Sequence, residues 1–148
     1  MLWLSTATAV VLDVEGRVLL GRRADNGRWG PPGGIIDPAE EPADAAAREA
    51  FEETGVVAIP ERLVAVTVMP PITYPNGDQV RYLDLIFRCR AVGGEARVND
   101  SESVEVGWFS LGALPKLTER TLGLLAQATS DVTATAFTFA GVARVPGG

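Results

Sequence analysis

The sequence predicts an α+β fold in which two helices pack against a mixed β-sheet. Several short runs of β-branched residues are separated by turn residues, and only two segments carry helical periodicity. Hairpin turns rather than regular helical crossovers join most of the predicted strands, which is typical of α+β layering. With 148 residues and no internal repeat or linker, the chain is expected to form one domain, residues 1–148.

The first predicted elements are two strands joined by a tight turn. Residues 6–12 and 17–20 are rich in β-branched and other apolar residues, and Glu15-Gly16 between them suits a hairpin turn. Residues 25–34 are too dense in glycine and proline for a helix or a central strand. We therefore expect a hairpin followed by a loop.

The next predicted element is a helix over residues 42–54. Pro42 suits the first helical position, Gly55 suits the residue just past the last turn, and the intervening alanines favour helix. A helical wheel predicts that one arc faces the core, comprising Ala43, Ala46, Ala47, Ala50 and Phe51.

The second half of the chain predicts three more strands and a second helix. The segments with strand character are residues 63–69, 80–91 and 104–109. Asn76-Gly77 predicts a hairpin before the second of these strands, in which an apolar face alternates with a mostly polar one. Apolar residues repeat at helical spacing over residues 117–128. The tail, residues 131–148, fits either an edge strand or an arm that binds a partner.

Composition excludes several classes of function. The formal net charge is −6, so no global positive field is expected to hold a nucleic acid polymer. The absence of histidine excludes histidine-based triads and histidine zinc sites, which leaves proton transfer to carboxylates, tyrosine, lysine or metal-bound water. The single cysteine, Cys89, suits a reducing cytosol. We expect a cytoplasmic protein without a secretory leader or a membrane helix.

The predicted helix at residues 42–54 carries an acidic face, and repulsion among its charges is expected to destabilise the helix. Glu49, Glu52 and Glu53 fall within an arc of roughly 100°, which Ala45 shares, and Arg48 is placed to pair with Glu52. Two of these glutamates lie in the last turn, where the helix dipole already disfavours anions. A solvated polar face is the simpler interpretation. A hard divalent cation would convert the repulsion into attraction, because Mg²⁺ prefers oxygen ligands.

The residues around this helix resemble the Nudix box, which would span residues 34–56. Gly34 is followed after five residues by Glu40, and seven residues later by Arg-Glu-Ala-Phe-Glu-Glu-Thr-Gly-Val at residues 48–56. Every fixed glycine, glutamate and arginine of that motif is present at the right spacing. Ala50 is a mild departure, since the family often has a larger aliphatic residue there.

The resemblance extends beyond the box on both sides. Trp-Gly-Pro-Pro-Gly-Gly at residues 29–34 is similar to the family's usual lead-in, and residues 105–109 with Leu114-Pro115 are similar to its late strand and turn. The fold that this resemblance implies is an α/β/α sandwich around a mixed sheet. The implied activity is hydrolysis of a nucleoside diphosphate linked to another moiety, with Mg²⁺ or Mn²⁺ as the cofactor.

The resemblance also implies roles for individual residues. The implied metal ligands are the carbonyl of Gly34 and the carboxylates of Glu49, Glu52, Glu53 and Glu102. For the last of these, Glu105 and then Asp100 are the alternatives. Arg48 is expected to orient a neighbouring glutamate, and Glu40 to support either the loop or a metal-bound water. Gly33 is a further supporting residue. The general base is left open between Glu49, Glu53 and Glu102.

The sequence predicts the residues that contact substrate less specifically than it predicts the metal ligands. Arg22, Arg23 and Arg28 are candidates for binding phosphate, and Trp29, Tyr74 and Tyr82 for stacking on a base. The expected partner is a small nucleotide-like diphosphate, either ADP-ribose or a nucleotide sugar, or a nucleoside triphosphate or oxidised nucleotide. A homodimer is an additional expectation. The alternative from another class is a Nudix-fold module that binds a nucleotide or regulates without catalysis.

Overall fold

The computed structural model describes residues 1–139, and residues 140–148 of the predicted tail lie outside the described part. Within residues 1–139, nine strands form one sheet, accompanied by two α-helices. In chain order the elements are β1 (Leu2–Leu12), β2 (Val18–Arg23), β3 (Trp29–Gly30), β4 (Gly33–Ile35), α1 (Pro42–Thr54), β5 (Val56–Val68), β6 (Ile72–Thr73), β7 (Gln79–Gly94), β8 (Ser103–Phe109), α2 (Glu119–Thr129) and β9 (Ala136–Phe137).

The sheet is mixed, as the sequence predicts. Its main order is β3-β2-β1-β7-β5-β9, with β4 paired to β1, β6 to β7 and β8 to β2. The long β1 and β7 strands run parallel, from the pair Leu2↔Val80 to the pair Leu12↔Arg90. The β5–β9 pair is also parallel, and the remaining pairs are antiparallel. Residues 136–137 of the tail therefore form an edge strand.

Two hydrophobic cores lie on opposite faces of the sheet. The first joins α1 to one face and includes Ala7, Ala9, Ala45, Ala46, Ala50, Phe87 and Cys89. The second joins α2 to the other face and includes Val10, Leu12, Val64, Ile86, Leu124, Leu125 and Ala128. Because alternate residues of β1 supply opposite cores, both faces of the central strands are covered. This three-layer arrangement confirms the predicted α/β/α sandwich. Across residues 1–139, neither helix has the length and apolar character needed to cross a membrane.

Helix α1 has the predicted ends but a different buried arc. Gly55 ends the helix in the left-handed region at φ 75°, and its N–H donates to the carbonyl of Phe51. The prediction that Phe51 faces the core is wrong, since this residue is 47% exposed, whereas Ala45 is fully buried. The helix is rotated so that Glu49 and Glu53 face β4 and are buried beside the alanines, whereas Glu52 of the same acidic arc stays exposed.

Two strand boundaries also differ from the sequence prediction. β5 begins at Val56, directly after α1, rather than at residue 63. Its pairing with β7 is interrupted by three register shifts, and such irregularities break the alternation by which a strand is recognised. The predicted loop at residues 25–34 contains β3 and the start of β4, two very short strands that pair with β2 and β1.

Arg62 on β5 holds the end of α2 and the start of the tail. Its guanidinium donates hydrogen bonds to the carbonyls of Gln127, Ala128, Ser130 and Val132 at 2.9–3.1 Å. The last carbonyls of an α-helix have no partner within the helix, so an arginine at this position satisfies them. Arg62 therefore fixes α2 to the sheet and directs the chain towards β9.

Replacement of this arginine is expected to destabilise the fold. Arg62→Met keeps most of the side-chain length but removes every donor, and should lower the free energy of unfolding by about 1–2 kcal/mol. Chemical denaturation would measure the change, with Arg81→Met at an exposed arginine of β7 as the matched control. Equal stability of the two variants would show that these carbonyls do not need Arg62.

Candidate metal centre

Three carboxylates converge at one end of helix α1. One oxygen each from Glu49, Glu53 and Glu102 lies within 4.8 Å of the other two. Glu49 and Glu53 occupy successive turns of α1 and are only 9% and 8% exposed, whereas Glu102 is exposed in the loop before β8. The cluster therefore combines two buried acidic side chains with a third that faces solvent.

Two glycines of β4 allow the helical glutamates to reach the sheet. A Cβ atom on Gly34 would lie 2.6 Å from Cδ of Glu49, and one on Gly33 would lie 2.7 Å from the carbonyl oxygen of Ala7. Both distances are shorter than real Cβ contacts, so a side chain at either position would displace its neighbours. The backbone N–H of Gly33 donates to Oε2 of Glu53 at 2.9 Å and orients this carboxylate.

Glu102 reaches the cluster because β8 pairs with β2. This pairing places the loop before β8 beside the loop after β2, where the N–H of Ala24 donates to the carbonyl of Glu102 at 2.8 Å. The two alternative carboxylates have other partners. Asp100 accepts a hydrogen bond from the backbone N–H of Glu102, and Glu105 forms an ion pair with Arg22 at 2.7 Å.

Arg48 connects the loop before α1 to the acidic face of the helix. Its Nε and Nη2 atoms donate to the two carboxylate oxygens of Glu40 at 2.8 and 2.9 Å, and Nη2 also donates to the carbonyl of Ile35. Its Nη1 atom lies 3.0 Å from Glu49 and 3.2 Å from Glu52. Glu52 thus contacts Arg48 rather than the three-carboxylate cluster, and its side chain is 51% exposed.

The charges in this region are unevenly compensated. The hydrogen bonds from Arg48 lower the pKa of Glu40 to about 2. Burial raises the pKa of Glu53 to about 8, helped by the nearby charges of Glu49 and Glu102 and opposed by the Gly33 N–H. Burial also raises the pKa of Glu49, which Arg48 opposes. The centre therefore carries more negative charge than its protein cations balance.

The three arginines predicted to bind phosphate lie at the end of β2 and in the following loop. Arg22 pairs with Glu105, and Arg23 makes two hydrogen bonds to Asp25 that raise the pKa of its guanidinium. The charges of Glu53 and Glu102 raise this pKa further. Arg28 is exposed. Arg23 therefore lies close enough to the metal-centre carboxylates to interact with their charges.

The aromatic candidates have protein partners as well. Trp29 packs edge-on against Phe109, with 5.1 Å between ring centroids, and the hydroxyl groups of Tyr74 and Tyr82 lie 2.9 Å apart. Sequence reasoning missed a buried polar group on the opposite face of the sheet, centred on Asp84. It lies within the face of residues 80–91 predicted to be mostly polar, and no further feature of the sequence distinguishes it.

The fold and the acidic helix define a class of protein, the Nudix-fold hydrolases. The family model of the NUDIX domain matches residues 3–128. The chain belongs to the Nudix family, which confirms the prediction made from the box at residues 34–56. Its relatives include pyrophosphatases, and the chain has the corresponding enzyme fold.

Several relatives cover most of the chain. A MutT-like protein of Streptomyces ambofaciens is 38% identical over 105 residues, which are 71% of this chain and 62% of that protein. The matched region thus spans less than two thirds of the Streptomyces protein. An ADP-ribose pyrophosphatase of Methanocaldococcus jannaschii is 31% identical over 121 residues, or 78% of this chain and 69% of that protein. The crystal structure of an ADP-ribose pyrophosphatase from Streptococcus suis has a TM-score of 0.70 and 29% identity, covering 91% of this chain and 98% of that one.

The raised pKa of Glu53 predicts how the metal-free protein responds to pH. The folded state keeps this proton up to a pH of about 8, whereas the unfolded chain loses it near 4.5. The stabilisation is therefore complete below pH 4.5 and is lost as the pH rises towards about 8. Melting temperatures measured with a chelator should fall across this range.

Glu53→Gln separates this effect from other titrations. The amide stays neutral, so the fall in melting temperature between pH 4.5 and about 8 should become shallower, with a residual slope from Glu49. Glu105→Gln, at an exposed carboxylate, is the matched control and should keep the wild-type slope. Identical slopes in all three proteins would show that Glu53 does not retain its proton.

Proposed function

We propose that this protein hydrolyses the diphosphate linkage of a small nucleotide in a reaction that requires Mg²⁺ or Mn²⁺. The observation that carries the proposal is the convergence of Glu49, Glu53 and Glu102 within 4.8 Å in a chain that belongs to the Nudix family. The substrate class is a nucleoside diphosphate linked to another moiety.

The residues at the centre fit a hard divalent cation. All available ligand atoms are oxygens, and Mg²⁺ typically binds one or two carboxylates together with phosphate oxygens and water. Glu49, Glu53 and Glu102 would hold the ion or ions, with Glu52 and the carbonyl of Gly34 as further ligands. The raised pKa values of Glu49 and Glu53 support this assignment, because burial, together with nearby negative charges, disfavours the ionised carboxylates, and a bound cation would stabilise that form.

The chemistry divides between the cation and the side chains. When bound, a cation held by these carboxylates would neutralise diphosphate oxygens and make water a stronger nucleophile at neutral pH. Arg48 orients Glu49, and the Gly33 N–H orients Glu53, so both carboxylates are held in place before substrate arrives. A carboxylate acting as general base contributes about 10²–10⁴-fold to the rate, and Glu49, Glu53 and Glu102 are the candidates.

ADP-ribose and related compounds are the first substrates that we propose. Two relatives of this chain are named ADP-ribose pyrophosphatases, and they match it over 78% and 91% of its length. Nucleotide sugars, nucleoside triphosphates and oxidised nucleotides are the alternatives. Arg23, with Arg22 and Arg28, is proposed to contact the phosphates. The net charge of −6 disfavours a nucleic acid polymer as substrate, and homodimer formation stays a prediction.

The alternative of a non-catalytic binding module is less well supported. A protein that only binds a nucleotide has no need of buried carboxylates that repel one another, yet all the box glutamates are present here. Metal-dependent release of product from a panel of nucleoside diphosphate compounds would distinguish the two functions. We expect turnover with Mg²⁺ or Mn²⁺ and none after chelation. Nucleotide binding without turnover of any compound would favour the module.

A matched pair of variants tests whether Glu102, which lies outside the Nudix box, is a metal ligand. Glu102→Gln should lower kcat/KM by about 100-fold and weaken Mn²⁺ binding, because it removes a carboxylate from the cluster. Glu105→Gln changes the same chemical group three residues away, where the carboxylate pairs with Arg22, and should retain near wild-type activity. Steady-state kinetics and calorimetry would measure the two effects. The reverse order of losses would assign the ligand to Glu105.

The helical glutamates are expected to be necessary for turnover but not for folding. Glu52→Gln and Glu53→Gln should each abolish most activity, and in the presence of a chelator their melting temperatures should equal or exceed that of wild type. The reason is that Glu52→Gln removes a negative charge from the end of a helix whose dipole already disfavours anions, whereas Glu53→Gln places a neutral amide where burial already disfavours the ionised carboxylate. Clear destabilisation without metal would show that these glutamates are structural.

A further inference from the structure

The loop between β7 and β8 is bound to the C-terminal end of helix α1. The backbone N–H of Arg97 donates to the carbonyl of Thr54 at 2.8 Å, and that of Asn99 donates to the carbonyl of Glu53 at 3.3 Å. The side-chain amide of Asn99 donates through Nδ2 to the carbonyl of Phe51 at 2.9 Å. The last carbonyls of an α-helix have no partner within the helix, so the loop satisfies groups that the end of α1 leaves free.

Two glycines allow the loop to pass this close to the helix end. A Cβ atom on Gly55, which ends α1, would lie 2.8 Å from the carbonyl oxygen of Glu95 and 3.1 Å from Cζ of Arg97. Gly94, the last residue of β7, has a φ of 74°, and a Cβ atom there would overlap the carbonyl oxygen of Gly55. The chain therefore leaves β7 directly across the end of α1, where a side chain at either glycine would displace it.

The same loop carries Glu102 to the carboxylate cluster. The carboxylate of Asp100 accepts a hydrogen bond from the N–H of Glu102 at 3.0 Å, and the carbonyl of Glu102 accepts one from the N–H of Ala24 at 2.8 Å. Oδ1 of Asn99 accepts a hydrogen bond from Nε of Arg97 at 3.2 Å, which orients the amide. Among the residues that the structure describes, Asn99 is the one residue of this loop whose side chain forms a hydrogen bond with α1.

We propose that Asn99 is a positioning residue that holds Glu102 at the carboxylate cluster, an inference that rests on the proposed function of this cluster as a metal centre. Asn99 binds the helical turn that carries Glu53, and the turn closed by Asp100 fixes the short path from there to Glu102. Without a cation, repulsion from the buried carboxylates would move Glu102 away from the cluster, since it lies on an exposed loop. The contacts of Asn99 with α1 oppose this movement.

Hydrogen exchange in the metal-free protein tests this positioning without any catalysis. The N–H of Ala24 is bonded to the carbonyl of Glu102, so its exchange rate measures how often the loop leaves its place. Asn99→Ala removes the side-chain bond to α1 and should accelerate exchange at Ala24 about fivefold. Asn76→Ala, the matched control, removes a comparable side-chain bond within the β6–β7 turn and should leave exchange at Ala24 unchanged.

Mn²⁺ binding in a double-mutant cycle tests whether Asn99 acts through Glu102. Asn99→Ala alone should weaken Mn²⁺ binding about fivefold. In a Glu102→Gln background the same substitution should weaken it by less than about twofold further, because the ligand that Asn99 positions is already absent. Titrations followed by electron paramagnetic resonance would measure the free Mn²⁺ for every protein of the cycle, and Asn76→Ala should bind Mn²⁺ as wild type does.

The outcomes distinguish this role from the proposed activity. Wild-type exchange at Ala24 in Asn99→Ala, or an equal loss of Mn²⁺ affinity in both backgrounds, would overturn the positioning role and leave the hydrolase proposal intact. Faster exchange at Ala24 in Asn99→Ala, with no Mn²⁺ binding by wild type, would support the positioning of Glu102 and refute the metal-dependent function. If Asn99→Ala does not fold, Asn99→Asp keeps the side-chain size but lacks the N–H donor, and exchange at Ala24 decides in the same way.

Discussion

Mutual repulsion among Glu49, Glu53 and Glu102 is the constraint on which the rest of the site depends. Two unit charges about 5 Å apart repel by roughly 3 kcal/mol at an effective dielectric constant of 20. The fold does not separate these side chains, because glycines at positions 33 and 34 bring the strand against the helix and Arg48 holds the preceding loop. Only a proton or a cation can relieve the repulsion, and burial of Glu53 limits access by water.

Features governed by local chemistry were predictable from the sequence. Pro42 and Gly55 identified the ends of α1, because proline fits the first helical position and glycine adopts the left-handed conformation that ends a helix. The acidic face was recognisable because it opposes the helix dipole. The spacing of these residues also identified the family, which the match over residues 3–128 confirms. None of these inferences needed knowledge of distant contacts.

Features governed by distant contacts were not predictable in this way. A helical wheel gives the angles between side chains but not the direction of the core, so Phe51 was assigned to the wrong side. Choosing among three late carboxylates required the pairing of β8 with β2, which brings Glu102 rather than Glu105 to the cluster. Alternation along β7 cannot distinguish a polar face in water from one covered by α2, so the burial of Asp84 became evident only in the structure.

The parallel pairing of β1 with β7 affects the folding of the protein during synthesis as well as the stability of the folded sheet. Thr6 and Asp84 are separated by 78 residues, and α1 lies between them in the chain. During synthesis the first strand emerges long before its partner, with apolar side chains such as Val10 and Leu12 not yet covered. Such non-local pairing slows folding and prolongs exposure to aggregation. The apolar side chains of β1 therefore stay uncovered until β7 has been synthesised and paired with it.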